Sequence, residues 1–327
     1  MHDAATFSDL GPADVLDAVE SLGFACDGRL LQLNSFENRV YQVGVEDDQP
    51  VIAKFYRNGR WSDAQIDEEH RLALACVEHD LPLVAPLLID GATLHRHGGF
   101  RFSVYPRRGG HAPPMDDPDA LRVMGRFLAR LHNVGAAERF QHRPRLDVDT
   151  FGRRPRESVL AGNLIPPELL DAYRTLTDDL LDRIDAIWQA TPARTLRLHG
   201  DFHPGNILWR DEAPSVVDLD DARMGPAVQD LWMFLPGERE ERESSLQVLL
   251  EGYTSFRDFD PLELGLIEPL RTLRLIHFAG WLAARADEPA FQQAFPWFGQ
   301  PRWWEEHILT LREQMAALDE PALNWVP

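Results

Sequence analysis

The sequence predicts an α+β chain in two lobes of different class, a small antiparallel sheet with one helix followed by a mostly helical half. Two observations carry this. Short apolar runs separated by turn residues dominate up to about Tyr105, and helical spacing of apolar residues dominates from Pro118 onward. Between them, Pro106-Arg107-Arg108-Gly109-Gly110 reads as a hinge, so the expected division of this single unit is 1–105 and 106–327.

In chain order, residues 12–22 form a helix opened by Pro12 and closed by Gly23. Residues 30–33, 40–45 and 51–56 read as three strands of a meander, turned by Asn34-Ser35 and Asp47-Asp48. Ser62, with Gln65 three residues on, is a capping box that starts a helix running to about His79. Strand candidates at 87–89 and 100–105 complete the sheet. The second half shows helical spacing over 118–134, 166–189, 246–256, 261–285 and 303–318, with two short strands at 207–209 and 215–219. The arginine-rich stretch 143–156 is expected to be a solvated loop, and Trp232, Phe234, Trp281, Trp297, Trp303 and Trp304 to be packing aromatics.

At 327 residues and 44% hydrophobic, the chain is long and apolar enough for two packed cores. With 53 acidic residues against 33 basic ones, a net charge of -20, neither nucleic acid nor an anionic membrane surface is expected as partner. Two cysteines without a C-x-x-C pair, Cys26 and Cys76, suit a reducing compartment, the cytoplasm, and argue against structural zinc or a disulfide framework. The amino terminus lacks a basic start followed by an apolar core, and the longest apolar run, 81–89, is interrupted by prolines, so neither secretion nor a membrane span is expected. Of the 33 basic residues all but Lys54 are arginine. A bias toward arginine codons explains the arginines, but a position that keeps lysine points to a compact point charge suited to phosphate.

The chemistry concentrates in one segment. His199-Gly200-Asp201-Phe202-His203-Pro204-Gly205-Asn206 sets a carboxylate, two imidazoles and an amide in a Gly/Pro-rich loop, and the apolar Val216-Val217 then leads into Asp218-Leu219-Asp220-Asp221. Phosphoryl transfer needs a metal to neutralise phosphate oxygens and a carboxylate to orient the attacking hydroxyl. Asp218 and Asn206 fit the first need and Asp201 the second.

The Asp-x-x-x-x-Asn spacing of Asp201 and Asn206, followed by Asp218, resembles the catalytic loop and metal-binding aspartate of protein kinases, and the His-Gly-Asp-x-His-x-x-Asn form is similar to the aminoglycoside and choline kinase-like branch. Asn34-Ser35-Phe36-Glu37-Asn38-Arg39-Val40-Tyr41, Lys54-Phe55-Tyr56-Arg57, Glu68-Glu69-His70 and Val217-Asp218-Leu219-Asp220-Asp221-Ala222-Arg223 extend the likeness to the bacterial stress response kinases of that branch, over almost the whole chain. The resemblance implies a two-lobed protein-kinase-like fold and a monomeric serine/threonine protein kinase of the envelope stress response. It would use ATP and Mg2+ and act on a protein substrate, itself included by autophosphorylation. Carried over residue by residue, Asp201 is the proton acceptor, Asn206 and Asp218 hold magnesium, and Ser35 lies in the loop over the phosphates. Lys54 is the third-strand lysine, Glu69 rather than Glu68 its partner, and Asp230 ties the catalytic loop to the helical lobe.

The chain departs from the protein-kinase pattern in three places. The loop at 33–38 has no Gly-x-Gly-x-x-Gly, so side chains of Ser35 and Asn38 are expected to stand in for backbone cradling. Leu219-Asp220 replaces Phe-Gly, and no Ala-Pro-Glu segment follows. His199 is read as a structural histidine bonding the loop backbone. The rival reading, a metal-hydrolase set of His199, Asp201 and His203, gives Asn206 and Lys54 no role. Asp220 and Asp221 are read as solvated acids or partners of Arg223, with second-metal ligation as the alternative. A small-molecule kinase and a nucleotide-binding pseudokinase are the two rival functions.

Overall fold

The computed structural model describes residue 7 and residues 9–326. Helix α1 (Pro12–Glu20) starts as expected, with Pro12 at its first position and the Asp14 carboxylate accepting the Gly11 N–H at 2.8 Å. It buries Val15, Ala18 and Val19 against the sheet.

That sheet contains β1 (Cys26–Leu33), β2 (Arg39–Val45), β3 (Val51–Tyr56), β4 (His95–His97) and β5 (Phe100–Pro106), antiparallel in the order β1-β2-β3-β5-β4. Strand alternation gives it two faces. Ala53, Phe55, Phe102 and Val104 fill the small core beneath α1, with Phe55 stacked on Phe102 at 5.2 Å. Lys54, between Val40 and Ser103 in the register, faces the opposite way into the cleft. The run 87–89 is not a strand. Pro82 and Pro86 cannot donate to a ladder, and the segment contributes only Leu87 N–H to Val104 O and a tight Ile89–Ala92 bridge. The sheet edge is instead His95–His97, whose polar residues carry no apolar alternation and suit an edge.

Helix α2 (Asp63–Glu78) carries the expected capping box, Gln65 N–H to Ser62 Oγ at 3.3 Å and Ser62 N–H to Gln65 Oε1 at 2.9 Å. Its Leu72, Ala73 and Cys76 join the large core of the helical lobe, so the apolar interior runs across the two lobes.

The helical lobe holds α3 (Pro118–Ala137), α4 (Arg154–Ala161), α5 (Pro167–Ala190), α6 (Arg239–Thr254), α7 (Ile267–Ala283), α8 (Pro289–Ala294) and α9 (Pro301–Ala317). Two ribbons, β6 (Thr195–Leu198) with β9 (Arg223–Pro226) and β7 (Ile207–Arg210) with β8 (Ala213–Val216), flank the polar segment. Helix α6 starts at Arg239, not 246, because its first turns are polar and charged and bury no apolar residue, and the expected helix over 261–285 opens as a 3₁₀ stretch, Pro261–Leu266. The stretch 143–156 is not a solvated loop: it leads into α4, and Arg143 is buried. α3 and α6 cross at glycines, where a Cβ on Gly125 would lie 2.0 Å from Leu249 O. Among the described residues no helix is long and apolar enough to cross a membrane.

The loop after β6 hangs from one fully buried carboxylate. Asp230 accepts His199 N–H and Gly200 N–H, each at 2.9 Å, and meets His132 Nε2 at 3.2 Å, while His132 Nδ1 reaches Tyr253 OH at 2.9 Å. Asp230→Ala strands two buried amide donors and is expected to lower stability by about 3–5 kcal/mol in urea denaturation. A loss below about 1 kcal/mol would contradict this anchoring role.

Candidate active site

The polar face of the sheet and the loops of the helical lobe enclose a cleft of about 1420 Å³. Lys54 enters it from β3, and its side chain is 9% exposed. A buried ammonium needs carboxylates around it. Lys54 Nζ lies 3.0 Å from Asp218 Oδ1, 3.2 Å from Asp220 Oδ1 and 3.7 Å from Glu69 Oε1. Burial opposes the charge, but Asp218, Asp220 and Glu69 together raise Lys54 well above the ordinary lysine range.

The two glutamates of α2 divide their work. Glu69 faces Lys54 and takes Arg143 Nη2 at 2.7 Å. Glu68 accepts the backbone N–H groups of Gln141, His142 and Arg143 at 2.6, 3.0 and 2.9 Å, which fastens α2 to the helical lobe. Arg143 also donates to Asp220 O at 2.7 Å, Ala222 O at 3.0 Å and Gln65 O at 2.8 Å, with its guanidinium 4.7 Å from the centre of the Trp61 ring.

Asp218 follows β8 in a left-handed conformation, φ 65° and ψ 70°, a strain of about 1–2 kcal/mol for a non-glycine residue, and its side chain is 52% exposed in the cleft. Asp220 is not a solvated acid. It is buried between Lys54, Arg60 at 2.9 Å and Asn38 Nδ2 at 3.1 Å. Burial opposes its ionisation, but Lys54, Arg60 and Arg143 hold the carboxyl below the usual range. Asp221 pairs with Arg223 at 2.7 Å and Arg60 at 3.1 Å.

In the catalytic-loop candidate, Gly200 has φ +86°, and a Cβ there would lie 2.1 Å from Asp221 O, so only glycine lets the two segments meet. His199 Nε2 donates to Val217 O at 3.0 Å and does not converge with Asp201 and His203. His203 Nδ1 accepts Gly205 N–H at 3.0 Å, which puts the ring proton on Nε2, 3.4 Å from Asp201 Oδ2. Arg274 Nη1 bonds Asp201 Oδ1 at 2.6 Å. Burial opposes the Asp201 charge, yet the His203 hydrogen bond and the Arg274 charge outweigh it and hold the carboxyl well below the usual range. Asn206 Nδ2 donates to Asp201 O at 2.9 Å, which commits the amide's donor to the loop and leaves Oδ1 to accept or ligate.

The loop between β1 and β2 closes over the cleft through side chains. Ser35 Oγ accepts Asn38 N–H at 3.4 Å, and Glu37 is gripped by Arg60, Arg285 and Trp281 Nε1. Ser35, Lys54, Glu69, Asp201, Asn206 and Asp218 therefore line one cleft. The sequence reading did not single out Arg60, Arg143, Arg274 or Glu37. Among so many arginines, nothing in local spacing separates a buried guanidinium from a solvated one.

A strand lysine with a helix glutamate, facing an Asp-x-x-x-x-Asn loop and a further aspartate across a cleft between a sheet lobe and a helical lobe, defines a phosphotransferase of protein-kinase-like architecture. Residues 29–265 match the phosphotransferase enzyme family, and the chain belongs to it. It is 43% identical over 326 residues to stress response kinase A of Escherichia coli (strain K12), covering 100% of this chain and 99% of that one. The serine/threonine protein kinase RdoA of Salmonella typhimurium is also 43% identical, over 328 residues, with the same coverage. Among solved structures, the amicoumacin kinase hAmiN in complex with AMP-PNP, Ca2+ and Ami shares the fold with a TM-score of 0.69 at 17% identity, over 90% of this chain and 93% of that one.

Behind Lys54, His70 bonds Tyr56 OH through Nε2 and Thr93 Oγ1 through Nδ1, both at 2.8 Å. Burial, helped by Lys54 and Arg143, pushes its imidazole from 6.5 down to about 3. The folded state thus keeps His70 neutral where the unfolded chain protonates it. Its contribution is present above pH 6.5 and lost as pH falls toward 3. Between pH 4 and 6 the stability of the wild type is expected to fall with acidification by up to about 1.4 kcal/mol per pH unit more than that of His70→Gln. Parallel slopes in urea titrations at several pH values would contradict this.

Proposed function

We propose that the chain is a monomeric, cytoplasmic, ATP-dependent serine/threonine protein kinase of a bacterial stress response, with Asp201 as proton acceptor. The observation that carries the reading is the bridge across the cleft, Lys54 to Asp218 at 3.0 Å with Glu69 behind it. It pairs a phosphate-seeking cation with a metal-seeking carboxylate beside the Asp201 loop. The names of the full-length relatives, stress response kinase A and serine/threonine protein kinase RdoA, support the choice of acceptor and setting.

The residues present fit magnesium. The half-exposed Asp218 carboxylate and the Asn206 Oδ1, whose amide donor is already committed, offer hard oxygen donors in one cleft. Lys54 and the Ser35 hydroxyl would hold phosphate oxygens, with Glu69 keeping Lys54 charged and in place. When bound, Mg·ATP supplies the phosphoryl group and neutralises its oxygens. Asp201 orients a serine or threonine hydroxyl and takes its proton, His203 and Asn206 hold the Asp201 loop, and the β1–β2 loop excludes water.

A small-molecule acceptor is the second reading, since hAmiN is named for amicoumacin.

Transfer of labelled γ-phosphate from Mg·ATP to the protein itself and to a general protein acceptor tests the proposal. Asp201→Asn is expected to slow transfer by about 10²–10⁴-fold, and Lys54→Met to abolish it at moderate ATP. Near-normal transfer in Asp201→Asn would overturn the role of Asp201. ATP binding without transfer to any acceptor would favour a pseudokinase.

A further inference from the structure

Helix α7 presents Arg271, Arg274, Phe278 and Trp281 to the cleft at helical spacing. Arg274 is the one that reaches the candidate base, 2.6 Å from Asp201 Oδ1, and its side chain is still 42% exposed, so it sits where an acceptor must approach. With His203 at Oδ2, both carboxylate oxygens of Asp201 are occupied. A hydroxyl donating to Asp201 must share an oxygen with one of these partners or displace it, and the guanidinium is the one on a long, half-exposed arm.

The surrounding charges decide what would displace it. Arg154, with its side chain 70% exposed, lines the cleft and leans on Asp149 at 2.7 Å. Arg271 leans on Glu268 at 3.4 Å, and Asp221 is already matched by Arg223 and Arg60. The helical-lobe wall around Asp201 therefore presents three partly exposed guanidiniums, each leaning on a carboxylate that an incoming anion can replace, in a chain whose net charge is -20. A planar fork of donors takes a carboxylate or phosphate in bidentate fashion.

We infer that Arg274 is the acceptor-reading residue of this site and that the preferred acceptor is a serine or threonine with a carboxylate or phosphate beside it. The anion draws Arg274 away from Asp201 as the hydroxyl arrives, so base and substrate are matched by one side chain. This rests on the kinase reading above and adds to it the class of substrate.

The test uses full-length protein, Mg·ATP and serine peptides identical except for Asp, Asn or Lys after the serine, with glycerate against glycerol as a small-acceptor pair. The wild type is expected to prefer the Asp peptide over the Asn peptide by tenfold or more in kcat/KM, chiefly through KM. Arg274→Lys should retain most of that preference, Arg274→Ala should lose it, and Arg274→Glu should turn it toward the Lys peptide. A wild type indifferent to the flanking charge, or an Arg274→Glu variant that keeps the Asp preference, overturns the inference. Labelling of glycerate with no peptide labelled overturns the serine or threonine acceptor. ATP hydrolysis without acceptor separates the two levels. Asp201-dependent hydrolysis with no charge preference sinks the Arg274 inference alone, and no ATP turnover in any arm sinks the kinase reading.

Discussion

The structure depends on keeping one buried lysine charged. Lys54 is 7% exposed, and burial by itself would drive an ammonium toward its neutral form. The three acids that prevent this come from both sides of the cleft, Glu69 from α2 and Asp218 and Asp220 from the segment after β8. Arg143 and Arg60 then bind the outer oxygens of Glu69 and Asp220, so three cations and three carboxylates close on one another. Removing a member leaves its partners buried and uncompensated. The cluster joins the sheet lobe to the helical lobe at the place proposed for a phosphate and its metal.

Around this cluster the backbone is held before any ligand arrives. Asp230 fixes the start of the Asp201 loop, Gly200 allows its approach to Asp221, and Asp218 is kept in a left-handed conformation by ordered segments on either side. Helix α7 acts on both halves of the site. Its Arg274 touches the candidate base and its Trp281 touches Glu37 of the β1–β2 loop. In a loop without the usual glycines, closure rests on the Glu37 side chain and its cationic partners from both lobes, Arg60 and Arg285.

Much of this was legible in the residues. The meander showed because short apolar runs are set between the turn residues Asn34-Ser35 and Asp47-Asp48, and α2 because Ser62 and Gln65 form a capping box. The cleft brings together six of the residues singled out by motif and resemblance, Ser35, Lys54, Glu69, Asp201, Asn206 and Asp218. Polar elements were not legible: the edge strand His95–His97 has no apolar signature, and β6 carries a buried Arg197 bonded to Val134 O at 2.9 Å. Asp220 was misread because local sequence shows an acid beside two others. Its burial follows from Lys54, Arg60 and Asn38, all distant in the chain. Arg143 was misread for the same reason, as one arginine in a stretch of arginines.

The central claim is that Lys54 and Asp218, paired across the cleft, form the phosphate and metal subsites of one nucleotide site. A crystal structure of the protein grown with magnesium and AMP-PNP tests it most directly. The account predicts phosphate oxygens on Lys54, a metal ion on Asp218 and Asn206, the direct Lys54–Asp218 contact replaced, and Glu69 still beside Lys54. A nucleotide bound elsewhere, with the Lys54–Asp218 pair intact, would contradict it.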